Sequence, residues 1–378
     1  MDYRSVGGVF TSSDPGENAR EAVGRLRAGL ADFPVGALLF FAPPSSCDSR
    51  LLAAGIRDAF PEAKTFGCSG AGVIHDGMLL DNAFTAMAFS AGVFETLEIA
   101  AVGGIDSNPL ALDQALGDLR TRLGRDLLDL DYREYLGFVL IDGLSSSMEP
   151  IMNRIGDLTN ILFTGGCAGD ELKFEKTLVY ANGQVYENGM VIAVMRPRGK
   201  WGVIKSQSVV PGDQTLTATR VEEDRNVIWE FDGKPAAQAF ADAIGVAAED
   251  LTPEKFSECP LALMADGQPF IRSIATPVGD GGLRLYLRPA RGLRYVIART
   301  KDLAPETRAD VEAKRREIGG ISAIVNISCI LRKLQMIRDG SVEAHSEVFA
   351  GFPSAGFFSF GEIFIGLVNQ TATMVAFA

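Results

Sequence analysis

Two cysteines, Cys68 and Cys167, sit in matching surroundings, Phe-Gly-Cys-Ser-Gly and Gly-Gly-Cys-Ala-Gly, where an exposed thiol can act as a nucleophile. Thiol catalysis needs a depressed pKa and a base within hydrogen-bond reach, and neither stretch supplies a base. A buried, inert thiol is the commoner fate of a free cysteine. The turns themselves offer a second chemistry. At a strand end the backbone N–H groups around Cys68, Ser69, Gly70, Gly166, Cys167 and Gly169 can cradle a carboxylate or phosphate, though the same glycines equally allow strand and helix to pack closely. Asp170 and Glu171 follow the second turn; they either bind an amino group or form a solvated loop.

Further along, Arg272 interrupts an apolar strand between Ile271 and Ile274. A strand arginine must face water or meet an anion, and its planar fork suits a carboxylate; an internal ion pair with Glu362 is the alternative. Asn369 either orients the same pocket or ends a strand. Of the two histidines, His75 beside Asp76-Gly77 reads as a turn residue, and His345 between Glu343 and Glu347 as an exposed one.

The elements that must position these residues recur. Residues 36–42 are a short apolar run closed by Pro43-Pro44, as in a buried strand, and Leu52, Ile56 and Phe60 give the stripe of a helix packed on a sheet. Residues 64–72 run from strand into glycine turn, and 83–90 form another strand. The same order returns at 137–141, at Ile151 to Leu158, at 163–170 and at 189–195, which sets Cys68 against Cys167. A weaker third copy spans 321–329, 354–362 and 371–377 and places Glu362 at the corresponding corner; its helix is obscured by the basic stretch Leu331 to Arg338. Asp232-Gly233 marks a hairpin, 236–247 an alanine-rich helix and 269–274 a strand. The expected fold class is mixed α/β, with repeated strand–helix–strand–strand units forming two sheet-containing domains. The 378 residues suit two cores, and Arg196-Pro-Arg-Gly-Lys200 places the seam near residue 200, giving domains 1–200 (duplicated over about 35–100 and 136–196) and 201–378.

A formal charge of -12 disfavours nucleic acid and anionic lipid as partners. Five cysteines without zinc spacing read as free thiols in a reducing compartment. The N-terminus lacks a signal-peptide core, and 348–368 is broken by Pro353 and Glu362, so a cytoplasmic protein without membrane insertion is expected.

The run 165–189 (GGCAGDELKFEKTLVYANGQVYENG), with 66–72, 269–274, Phe360-Gly-Glu362 and Asn369-Gln-Thr371, resembles the FIST family of bacterial sensory proteins, with its N-terminal and C-terminal FIST domains. The likeness covers nearly the whole chain. It implies a non-enzymatic signal-input module that binds small molecules such as amino acids and acts through a histidine kinase, chemotaxis receptor or cyclic-dinucleotide enzyme. It also implies, as an alternative, the haem branch of the family, which senses nitric oxide. Haem would need an axial His, Cys, Met or Tyr ligand, and the histidine those members carry near Asn-Gln-Thr is replaced here by Gly366-Leu367-Val368, which leaves Cys or Tyr ligation as the main route. The expected chain therefore has no cofactor and one small ligand, with a thiol-dependent enzyme as the remaining alternative.

Overall fold

The computed structural model describes residues 2–378 and divides into two compact units. The first comprises the chain up to Ser206 together with 307–367 and 372–378; the second comprises 207–306 and 368–371. The protein is mixed α/β, with nine helices and 26 strands in four sheets among the described residues.

The first unit is built from three equivalent six-stranded sheets. Each has a central strand (Val35–Ala42, Leu136–Ile141 or Ala323–Cys329) paired in parallel with the strand that ends in a turn (Lys64–Ser69, Leu162–Cys167 or Ser354–Ser359). On its other side each central strand pairs antiparallel with Ala83–Ser90, Gly189–Pro197 or Thr371–Phe377. The crossover helices are Ser49–Ala59, Met148–Leu158 and Ile330–Arg338. Asp48 caps the first of them, accepting from Arg50 N and Leu51 N at 3.0 Å each. The third helix forms within the basic stretch because that stretch carries its own buried stripe, including Ile330 and Met336.

The repeats exchange their hairpins. Val73–Leu80 of the first repeat completes the third sheet, Leu178–Glu187 of the second completes the first sheet, and Glu362–Val368 of the third completes the second sheet. The inner faces of the three sheets enclose one core, in which Phe41 stacks on Phe357 (4.8 Å between centroids) and Phe66 meets Phe138 edge to face.

Strand register corrects the sequence alignment of the copies. Phe40, Val139 and Asn326 are equivalent, each opposite a glycine: Gly67, Gly165 and Gly356. Counting on from those glycines, the counterpart of Cys167 is Ser69, one residue beyond Cys68, and Phe358 holds that place in the third copy. Glu362 does not share the corner either. It lies opposite Gly166, as Val179 lies opposite Cys68 and Val73 opposite Phe357, so Glu362 is the third copy's version of two core valines.

The second unit is an antiparallel sheet around the long strand Val209–Glu222, packed on the helices Ala236–Ile244 and Pro253–Glu258 over Phe231, Phe240, Phe256 and Tyr295. The expected hairpin at Asp232-Gly233 is present, with both residues at positive φ (50° and 79°).

Candidate functional site

The three strand-end turns of the first unit interlock. Ser69 Oγ donates to Gly169 O at 2.8 Å, and Gly169 N returns a bond to Ser69 O at 3.0 Å. Cys167 N donates to Gly361 O, Phe360 N to Cys167 O, Ala71 N to Phe358 O and Phe358 N to Gly72 O. A Cβ on Gly169 would lie 3.0 Å from Ala71 N and 3.2 Å from Phe358 O, so this glycine is fixed by the close approach of backbones. Ser69 and Gly169 are thus bonded to each other and Cys167 to the third turn, while Cys68 pairs with Val179 and Gly166 with Glu362 across the exchanged hairpins, and a Cβ on Gly70 would lie 2.8 Å from Gly72 O.

Asp170 is buried rather than solvated. Its carboxylate accepts from four amides of its own loop: Lys173 N (2.9 Å) and Phe174 N (3.0 Å) on Oδ1, and Glu175 N (2.7 Å) and Lys176 N (3.2 Å) on Oδ2. Its neighbour Glu171 accepts from Ser45 N at 3.2 Å. Cys68 and Cys167 are buried, and burial, reinforced at Cys167 by Glu362, Asp142 and Glu149, pushes both thiols well above their usual range. That environment disfavours the thiolate a nucleophile requires.

Arg272 and Asn369 belong to the second unit, and Glu362 to the first. Asn369 brackets Arg272: its Oδ1 accepts from Ser273 N (3.1 Å) and its N donates to Ile271 O (3.2 Å). Gln370 continues the stitch to Ser257 O at 2.8 Å.

Comparing the three repeats isolates residues the architecture does not require. On the outer face of the first and second central strands stand Phe40 and Ala42, and Val139 and Ile141; in the third copy register puts Asn326 and Ser328 there. Both are fully buried, and neither amide atom of Asn326 nor the Ser328 hydroxyl has a hydrogen-bond partner. Ile324, on the same face, packs with Val311 and Phe349 of the covering segments. Arg332, from the helix that follows, is 1% exposed; Nη2 donates to Thr307 Oγ1 (2.9 Å) and Nη1 to Ser206 O (3.4 Å), while Nε has no partner. Burial brings the guanidinium down to about 10, opposed by the charge of Glu362, so it stays cationic at neutral pH. Glu362 is fully buried and accepts from Ser359 Oγ at 2.5 Å.

His345 is not exposed, as its sequence neighbours suggest, but buried in the helix Val342–Ser346 against Phe349, with neither ring nitrogen hydrogen-bonded. Burial, aided by the nearby Arg332 charge, lowers its pKa to about 3 from an ordinary value near 6.5. The ring is therefore neutral in the folded state, and the unfolded chain binds the extra proton below pH 6.5. Stability contributed by the neutral ring is complete above 6.5 and lost as pH falls towards 3, at up to about 1.4 kcal/mol per pH unit. His345→Phe is expected to flatten the acid limb of stability relative to wild type between pH 6.5 and 4.5; urea-unfolding curves that stay parallel across that range would refute it.

Polar residues at buried positions where the repeat is apolar were the available sequence signal for Asn326 and Ser328. Arg332 and His345 gave none, because the charges around them read as a solvated face. His75 lies on the strand Val73–His75 rather than in a turn, with Nδ1 3.2 Å from Thr85 Oγ1. Clefts of about 540, 410 and 300 Å³ open on the first unit; neither histidine lines these, and Cys47 lines the third. His345, at 1% exposure, presents no ring nitrogen to solvent for an added group. Among the described residues no group of three or more His, Cys, Asp or Glu is placed to hold a metal, and no helix is long and apolar enough to cross a membrane.

Three hairpin-exchanged sheets, the third carrying Asn326 and Ser328 where the other two carry apolar residues, define a repeat-built α/β protein. The chain belongs to the FIST family: the FIST N domain model matches residues 36–234 and the FIST C domain model residues 236–365. FIST domains are associated with sensory signal transduction. The chain is also similar to the uncharacterized protein MJ1623 of Methanocaldococcus jannaschii, 31% identical over 117 residues, a match that spans 31% of this chain and 22% of that protein's length. A crystal structure of chorismatase aligns over 99% of this chain and 97% of its own at 10% identity, with a TM-score of 0.34, too low to support a structural argument.

Proposed function

We propose that this protein is a cytoplasmic, non-enzymatic sensor whose ligand is an amino acid or other small carboxylate, and that it signals through a separate protein such as a histidine kinase or cyclic-dinucleotide enzyme. The observation that supports the ligand class is Arg332: a buried cation with an unshared Nε, on the helix that directly follows the strand carrying the unpartnered side chains of Asn326 and Ser328, and whose charge reaches the unpartnered ring of His345. Buried polar groups left unpaired are costly, and a carboxylate carrying a further donor or acceptor would satisfy several at once. Arg272, bracketed by Asn369, is the second candidate for the anion clamp.

A panel of amino acids and small organic acids tests this by thermal shift. A ligand held only by the folded state, at about a hundred times its Kd, stabilises by roughly 2.7 kcal/mol, which moves the melting temperature by several degrees. The expected hit loses its effect in Arg332→Met and keeps it in Arg272→Ala. The reverse pattern moves the site to Arg272. Equal stabilisation of both variants, or no hit on wild type, overturns the carboxylate reading.

A further inference from the structure

The largest of the three clefts, about 540 Å³, lies where the strand Gly189–Pro197 turns into Trp201–Gln207 and shares no residue with the layer around Arg332. That volume falls in the range of small-molecule sites. Its lining is rich in charge, and most of that charge is already committed. Arg196 is held between Glu95 (2.6 Å) and Glu134 (2.9 Å) and lies over the Tyr135 ring. Arg133 is paired with Asp131 at 2.6 Å, and Glu317 with Lys314 at 2.7 Å. Two exposed cations are left over. Arg198 and Lys200 line the cleft, and among the described residues no carboxylate pairs with either.

Trp201, half-buried, lines the same cleft and packs against the central core of the unit. One side of the indole is thus fixed by packing, and the ring is held in place for a planar group to stack on it. In a chain of net charge -12, two uncommitted cations beside an immobilised indole form a local exception to the prevailing sign. We propose that this cleft binds a planar aromatic ring carrying an anionic group, with the ring against Trp201 and the anion between Arg198 and Lys200.

The chain has two tryptophans, so Trp229→Phe makes Trp201 the sole indole reporter. In that background adenosine 5′-monophosphate and nicotinate are titrated separately, so that phosphate-bearing and carboxylate-bearing rings are distinguished. Saturable quenching by at least one is expected, weakened about tenfold or more when Arg198→Ala and Lys200→Ala are combined. Inorganic phosphate is expected to compete only weakly. The proposal fails if neither ring-bearing anion quenches saturably, if the double variant binds as tightly as its parent, or if neutral adenosine matches its monophosphate. These outcomes are independent of the Arg332 panel, since no residue is shared.

Discussion

Asp170→Ala is expected to lower the stability of the first unit by about 3–5 kcal/mol, among the largest losses of any single side chain. Its four amide partners belong to residues 173–176, and the loop that presents them holds Leu172 and Phe174 in left-handed conformations (φ 63° and 56°). Non-glycine residues adopt that region only when their surroundings compel it. The carboxylate does the compelling: it is itself buried, while residues 172–176 are exposed, and alanine removes the one acceptor that ties their four N–H groups into this conformation. Asp170→Asn retains one oxygen and hence about two of the four bonds, so roughly half the loss should return. Urea-unfolding midpoints for the two variants would contradict this account if they coincided, or if alanine cost less than about 1 kcal/mol.

Gly356→Ala should be as damaging, for a steric reason. An added Cβ would overlap the carbonyl oxygen of Asn326 on the neighbouring parallel strand, and Gly67 and Gly165 stand in the same relation to Phe40 and Val139. A backbone carbonyl within a parallel ladder cannot withdraw without breaking the pairing that carries the repeat, so a cost above about 3 kcal/mol is expected at each. Gly156, in the helix Met148–Leu158, has nothing within 4 Å of its would-be Cβ. Gly156→Ala should therefore stabilise by about 0.5–1 kcal/mol. Circular dichroism during chemical unfolding separates the cases; Gly356→Ala melting with Gly156→Ala would discard the clash.

The strands at 36–42, 137–141 and 321–329 were legible because short apolar runs bounded by turn residues have few other destinations, and the recurrence of turn and helix gave the repeat. The frame of that repeat is set by strand pairing, not by the look of the turns. Cys68 and Cys167 look alike, but the glycine that must lie under a carbonyl is Gly67 in one copy and the first of the pair Gly165-Gly166 in the next, and only pairing reveals which. Hairpin exchange was not legible, since Glu362 meets Gly166 across nearly two hundred residues of chain and no local pattern encodes that distance. Arg332 and Lys333 stand in a basic run that reads as solvent-facing. Yet Lys333 is also buried, donating to Ala71 O at 3.0 Å and pairing with Asp81. Long side chains bury wherever distant partners await them, and those partners are invisible to local sequence.

The traded hairpins also impose an order of assembly. As the chain leaves the ribosome, the first sheet can be finished once residue 187 has emerged, because its last two strands come from the second repeat. The second sheet then stands with one flank bare until 362–368 arrives, and the hairpin 73–80 has no sheet to join before 323–359 is made. A bare parallel flank invites pairing with any extended chain nearby. The nascent protein thus spends the synthesis of the whole second unit with a vacancy in its own interior, and chaperone dependence should be set by that interval more than by the stability of the finished molecule.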